Sequence, residues 1–528
     1  MAERYQVIIV GGGPVGVALA VDLGRRGVSC AVIERHLEPQ RIPKGQNLTQ
    51  RTLEHFYFWG VVDEVRAARL MPPGYPIGGV TAYGNLMSEY WYAPAGRETV
   101  QSYYYQANER LPQYLTEEVL RRRLTAFPTV KALFGRSVKG VVETDDGVRV
   151  TVADEGWPYE ESVMEADYVV GCDGARSLVR EQAGIERAGT NFEQRMVLAL
   201  LRSRELHEGL KRFPERTTYR VMNPDLKGYW QFFGRIDVGE GFFFHAPVPS
   251  DATPESFDFH RLVQEAAGFS FPCAFDHIGF WDLRIQVATK YRQGRAFIAG
   301  DAAHSHPPYG GHGLNNGLED VANLAWKLAA ALEGWGGDAL LDSYTLERQP
   351  IFSETGEDLI AGGILRDREF LAQNNPAHGR EEFEAAWNRM ATGGRGGQAN
   401  EPHYEGSPVV MGPPGAACSI HGSHSFAARP GHHLAPQPLS SGRNVFEELG
   451  TGFTLLALGA GEPAVAALES AAQALRVPLK IIRDSYEGER QAFESPLVLV
   501  RPDQHVAWRG DLTPDDPLAL IKRVVGLA

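Results

Sequence analysis

The sequence predicts an α/β protein: a parallel-sheet domain, an antiparallel sheet inserted into it, and a small separate domain at the C-terminus. Three observations carry this. Residues Gln6–Val10 form a β-branched run that breaks into Gly11-Gly12-Gly13-Pro14-Val15-Gly16, then continues as a helical pattern to Arg26 and a second apolar strand, VSCAVIER. Two further apolar strands end in acid–glycine pairs, Asp173-Gly174 and Gly300-Asp301, and each runs into a helix. Between those pairs, Met196 to Ile285 is rich in aromatics and alternating patterns, as in YWQFFGRIDVGEGFFFHAPVP.

Bulk properties set the frame. A chain of 528 residues is too long for one ordinary core, so two or three domains are expected. A net charge of −14 argues against nucleic-acid or anionic-membrane partners, which reward a basic surface. The four cysteines, Cys30, Cys172, Cys273 and Cys418, form no CxxC, which fits buried thiols in a reducing compartment. VIIVGGGPVGVALA imitates a signal peptide, but it holds three glycines and a proline, and Glu3 offsets Arg4. No apolar run approaches the roughly 20 residues of a membrane span. A cytoplasmic protein is expected.

The first element reads as a Rossmann-like dinucleotide site. Gly11 permits a tight turn, Gly13 lets backbone approach a pyrophosphate, and Gly16 lets the helix pack on the strand. The helix start then offers free N–H groups to phosphate. Glu34, with Arg35 beside it at the tip of the second strand, would meet the adenosine ribose. No second fingerprint of this kind follows; GGRGG at 393–397 lies in a polar Pro/Gly-rich stretch and reads as flexible linker.

The acid–glycine pairs suit a ligand at the carboxyl edge of one sheet. After Asp301, HSHPPYGG delivers Gly313, Leu314 and Asn315 at the start of a long apolar helix, another anion-holding arrangement. In the inserted sheet, Tyr229, Gln231 and Phe233 are expected on one face. The tail combines the strand GFTLLALG, a helix, the strand VPLKIIR, a hairpin and a last helix, which resembles a thioredoxin fold without its CxxC. The division expected is 1–75, 109–190 and 286–390 for the dinucleotide domain, 76–108 and 191–285 for the inserted sheet, 391–433 as linker and 434–528 as the tail.

Three motifs stand in order: GGGPVG with Glu34, CDGARSLVR, and GDAAHSHPPYGGHGLNNGLEDVANLAWKL. Together they resemble the class A flavoprotein monooxygenases, the para-hydroxybenzoate and phenol hydroxylase-like family. LLDSYTLERQP and the thioredoxin-like tail are similar to its phenol hydroxylase branch. The resemblance implies an FAD-binding domain, a substrate-binding sheet domain and a thioredoxin-like domain. It assigns Gly11, Gly13, Gly16, Glu34 and Arg35 to the ADP half of FAD, and Arg51 of KGQNLTQRTLE to its phosphates. Gln113 of LPQYLTEEVL would lie by the ribityl chain, Asp173 would serve FAD and NAD(P)H handling, and Asp301 would bond the ribityl hydroxyls. The loop with Pro308, Gly311, His312, Gly313, Leu314 and Asn315 would run along the isoalloxazine.

That template also accounts for His304, His306 and His312, three histidines within nine residues: they fall on flavin-loop positions, and no metal is expected. The implied reaction is hydroxylation of a phenolic or polycyclic aromatic small molecule through an FAD C4a-hydroperoxide, with O2 and transiently bound NADH or NADPH. The protein must exclude water and raise the ring's nucleophilicity. Alternatives are Baeyer–Villiger-type or epoxidising chemistry, a flavoprotein reacting poorly with O2, or a degenerate FAD-binding scaffold; a homodimer is compatible. Phenol hydroxylases carry an aspartate where this chain has Gln46, which cannot be a base. Tyr229 and His245 are the remaining candidates, unless the substrate ionises unaided. Gln46, Gln231, Phe233, Phe244 and Pro308 are the substrate-contact candidates; simple core placement is the alternative for the aromatic ones.

Overall fold

The computed structural model describes residues 3–155, 161–393 and 400–528. Five strands lie parallel in the order Val130–Phe134, Cys30–Glu34, Glu3–Val10, Glu161–Gly171, Ala296–Ile298. Their interiors are apolar without alternation, Val7, Ile8 and Ile9 being fully buried, because helices cover both faces. The helix Pro14–Arg25 lies on this sheet and packs against the long helix His312–Leu332. An antiparallel hairpin, Arg136–Thr144 with Gly147–Asp154, extends from the strand Glu161–Gly171.

Three strand ends meet at one edge. Cys172 N donates to Val10 O at 2.7 Å, and Ala299 N donates to Gly171 O at 2.9 Å. The glycine turn, Asp173 and Asp301 therefore emerge side by side, where ligands bind in open α/β sheets.

The second sheet runs in the order His304–Ser305, Ala274–Ala288, Arg187–Arg202, Gly241–Val248, Gln231–Arg235, Thr218–Met222, Gly79–Tyr83, Trp91–Tyr92. It is antiparallel except where Gly79–Tyr83 joins Thr218–Met222 in parallel. One face packs on the helix Phe259–Ala267 through Val197, Phe233, Phe244 and Val263. The other turns Met196, Leu198, Leu200, Phe232 and Phe243 toward Tyr309, which precedes the long helix.

The tail has strand order Leu479–Asp484, Phe453–Leu458, Leu497–Val500, Val506–Gly510, with the third strand antiparallel to the others. That is the thioredoxin arrangement. It buries Phe453 and Leu520 against Trp326, Trp335 and Leu340 of the first domain.

The segment expected as linker is, from residue 400 on, a packed strap. Tyr404 N donates to Gly431 O at 2.7 Å and Met411 N to Ala507 O at 2.8 Å, and Tyr404 and Val410 are buried. Apart from one short antiparallel pair, Glu401–His403 with Ser419–Gly422, its backbone groups find partners one by one, so little periodicity marks them. GGRGG beyond Gly393 lies outside the described residues. No helix among the described residues is long and apolar enough to cross a membrane.

Candidate functional site

The glycine turn is shaped for a ligand's backbone approach. Gly11 has φ +100°, and a Cβ there would stand 2.3 Å from Cys172 O. A Cβ on Gly16 would stand 1.9 Å from Gly11 O, so only glycine lets helix and strand touch. At Gly13 a Cβ would meet nothing within 4 Å, and this N-cap has no side-chain cap, so the first amides of the helix face open space. Glu34 lies against the turn: Gly12 N donates to one oxygen at 2.8 Å and His36 N to the other at 2.9 Å. Arg35 is exposed at the rim.

Ser177 caps the helix Leu178–Gln182, and Asp173 accepts from its first amides, Leu178 N at 2.7 Å and Val179 N at 3.3 Å, while the second Asp173 oxygen is buried without a partner. Burial raises its carboxyl, against hydrogen bonds from Ser177 and backbone that pull it down. Asp301 is solvent-accessible although dense protein surrounds it, as at the floor of a cleft, and burial raises its carboxyl too. The turn that aims it is held from below. Asp320 accepts from Gly300 N at 3.0 Å and His304 Nε2 at 2.6 Å, and pairs with Arg348 Nε at 2.8 Å.

This network gives His304 its role: it stacks on Phe352 at 3.8 Å and pins the Gly300–Asp301 turn. His306 bonds Pro307 O at 2.5 Å. Burial lowers His306 to about 4 and His312 to about 3, so both rings are neutral at ordinary pH. The metal-capable trio that the described residues do bring within 4.8 Å lies elsewhere, at His403, Glu405 and His432, with Glu405 already bonded to His432 Nε2 at 3.0 Å.

The long helix begins at His312 behind Gly310 and Gly311, both left-handed at φ +75° and +70°, and no side chain caps it. Its first amides, including Gly313 and Leu314, are free for a bound group. Asn315 is turned inward instead, donating to Asn47 O at 2.8 Å and Gly311 O at 2.7 Å and accepting from Thr49 N at 2.9 Å. Gln113 opens its helix with N–H donated to Gly45 O at 2.8 Å. Lys44 and Arg121 escaped the sequence reading. Lys44 acts on the Asp301 carboxyl, and Arg121 reaches Gly12 O at 3.4 Å beside the glycine turn. Lys44 opens KGQNLTQRTLE and Arg121 directly follows LPQYLTEEVL, but the resemblance draws only Arg51 and Gln113 from those stretches.

Arg51, expected by the phosphates, has its guanidinium engaged by the tail and by two acids. Its guanidinium donates to Asp503 O at 2.5 Å and Gln504 Oε1 at 2.9 Å and pairs with Glu54 and Glu319. It is an anchor for the tail, whose position the local sequence does not reveal.

Side-chain alternation corrects the substrate face. Phe233 and Phe244 are fully buried in the core beneath the sheet, and Gln231 shares Phe233's side. Their neighbours Phe232, Phe243 and His245 point toward the cofactor loop, with Phe232 opposite His245 in register. Trp230 continues this face and stacks on Tyr309 at 4.5 Å and 12°, its backbone N–H donating to Tyr309 Oη at 3.0 Å and its indole Nε1–H to Asp367 Oδ2 at 3.0 Å. Tyr229 Oη donates to Phe192 O at 3.4 Å. His245 receives Trp281 Nε1–H at 3.3 Å, and burial lowers it to about 3. Gln46 is buried with both side-chain atoms unpartnered, and Pro308 caps the short turn before the helix.

An open glycine cradle, an orphaned acid, a cleft-floor acid and an uncapped helix start converge on one sheet edge, and they fit FAD. The class defined is a flavoprotein built from a parallel sheet and an aromatic antiparallel one. The FAD binding domain family matches residues 4–357, and the aromatic-ring hydroxylase C-terminal family matches 427–528. Tetracenomycin A2 monooxygenase-dioxygenase of Streptomyces glaucescens is 29% identical, over 97% of this chain and 95% of its own length. Rifampicin monooxygenase of Streptomyces venezuelae is 30% identical, over 96% of each chain. The rebeccamycin biosynthetic enzyme RebC with reduced flavin is 28% identical, with TM-score 0.85 over the whole of both chains. The chain belongs to this family of FAD-dependent monooxygenases.

Proposed function

We propose that this enzyme hydroxylates a phenolic or polycyclic aromatic small molecule, with FAD in the cleft and NAD(P)H and O2 as co-substrates, in the cytosol. The observation that carries the reading is the stack of Trp230 on Tyr309, which joins the aromatic face of the second sheet to the cofactor loop. FAD, when bound, supplies the redox and oxygen-transfer chemistry. Gly11, Gly13 and Gly16 give the phosphates backbone contact, Asp301 with Lys44 behind it offers an acceptor to hydroxyls, and the start of the long helix offers amides to an electron-rich edge.

Trp230, Phe232, Phe243 and Trp281 provide flat apolar surface that orients a ring and keeps water away from it. A histidine held as low as His245 has little capacity to take a phenolic proton at neutral pH. It serves better as a neutral part of the wall.

The test is a panel of phenols offered to the purified yellow enzyme. NAD(P)H consumption stimulated by one of them, with a product heavier by one oxygen atom, supports the reading. Hydrogen peroxide formed in step with NAD(P)H, and no oxygenated product from any member, overturns it.

A further inference from the structure

Among the buried arginines, Arg348 meets Asp320 at 2.8 Å and Arg501 meets Glu347 at 2.7 Å, whereas Arg235 has no acid and bonds Tyr219 Oη at 3.2 Å and His207 Nδ1 at 2.7 Å. Its neighbour Arg110 also lacks an acid. It is 2% exposed, and the partners of its guanidinium are neutral. Nε and Nη2 donate to Arg235 O at 3.2 and 2.8 Å, and Nη1 donates to Asn47 Oδ1. The adjacent acid, Glu109, gives its carboxylate to Arg69 at 3.0 Å and accepts only the backbone N–H of Arg110. Burial draws the guanidinium down to about 9, and Tyr75 is the charge-bearing neighbour that opposes this. A guanidinium has five N–H groups, and three are used. A desolvated cation without an anion is costly, and such cost persists where a ligand relieves it.

Its place in the fold says which ligand. Asn47, the partner of Nη1, is joined through Asn315 to Gly311 of the cofactor loop. On the other side the guanidinium faces Phe243, 5.8 Å from the ring centroid, on the aromatic face. Next to Asn47 in the chain stands Gln46, 5% exposed, with both its amide oxygen and nitrogen unpartnered.

The geometry points to Arg110, with Gln46 nearby, as the subsite for an anionic oxygen of the aromatic substrate, a phenolate or a ring carboxylate. This rests on the hydroxylase reading above and narrows its substrate class. It also removes the need for His245 as a base: a substrate held as its anion has already left its proton in solvent, and the cation favours that form.

The FAD-loaded enzyme is titrated with 2-naphthoate and with neutral 2-naphthamide, following the flavin absorbance, for wild type, R110K and R110Q, with FAD content and thermal midpoint measured on each. Wild type is expected to prefer the naphthoate. R110Q should weaken the naphthoate about ten- to a hundredfold, as loss of charge-assisted hydrogen bonds does, and the amide less than about threefold. R110K, which keeps the charge but not the fork, should fall between, and it decides the matter if R110Q loses FAD or stability. Equal affinity of wild type for the two ligands overturns the proposal, as does equal weakening of both in the variants. So does unchanged naphthoate binding with a lowered flavin midpoint potential, which would give Arg110 to the reduced cofactor. Failure of wild type to bind either compound would count against the aromatic-hydroxylase reading itself.

Discussion

Arg501 of the tail and Glu347 of the flavin domain meet in two parallel hydrogen bonds, 2.7 and 2.9 Å long, and both side chains are fully buried. Lys327 and Ser407 also hold Glu347, at 2.7 and 2.6 Å, and Arg501 doubles back to Asp503. Trp326 Nε1–H reaches Asp503 at 3.2 Å. The thioredoxin-like domain is thus keyed to the helix behind the cofactor loop by a closed charge network.

Glu347→Gln should destabilise the protein by about 3–5 kcal/mol, because it leaves a buried arginine and lysine short of an anion. Burial pushes the Glu347 carboxyl up, but Arg501 and Lys327 more than offset this and hold it well below its usual range. A carboxyl depressed in the fold contributes stability that is present above its unfolded value, about 4.3, and is lost as pH falls toward the folded one. The thermal midpoint of wild type should therefore fall below about pH 4.5, and more steeply than that of the Gln variant. Parallel curves would show that this pair is not a source of the acid sensitivity.

Asp301→Asn should weaken FAD binding about tenfold or more, through loss of a charged acceptor at the cleft floor. The ratio of flavin to protein absorbance after gel filtration checks this. A variant that purifies as yellow as wild type would remove Asp301 from the site.

Gly16→Ala should abolish FAD retention and lower stability, since the new methyl would stand 1.9 Å from Gly11 O. The clash is with backbone, so no side chain can move to relieve it. Flavin content and soluble yield are the measurements.

Phe232→Leu and Phe233→Leu are neighbouring changes with opposite readouts. The first should raise KM for the aromatic substrate about fivefold, for roughly 1 kcal/mol of lost contact, with FAD content unchanged. The second should lower the thermal midpoint and leave KM near wild type. The reverse outcome would place the substrate on the other face of the sheet.

The glycine turn and the acid-ended strands were legible because their requirements are local. Gly11, Gly13 and Gly16 answer to one turn, and Asp173 and Asp301 to the ends of strands that show as unbroken apolar runs. The thioredoxin-like tail was legible for the same reason, from the order of its elements. The sheet face was not. Phe232 and Phe233 are alike in sequence, and a shift of one residue reverses which of them meets the cofactor loop. Nor was the strap from residue 400, whose backbone is satisfied mostly contact by contact.

Sequence by itself determined the class: a backbone that must turn tightly, approach phosphate and start a helix leaves glycines at set intervals, and any chain that does so must show them. Tertiary structure alone decided where the charges went. Arg51 binds Asp503 and Glu319, Arg501 finds Glu347, and Arg110 finds no acid. Long charged side chains carry no periodicity, and their partners lie far away in the chain, so the cost of burying each one settles its place only when the domains close.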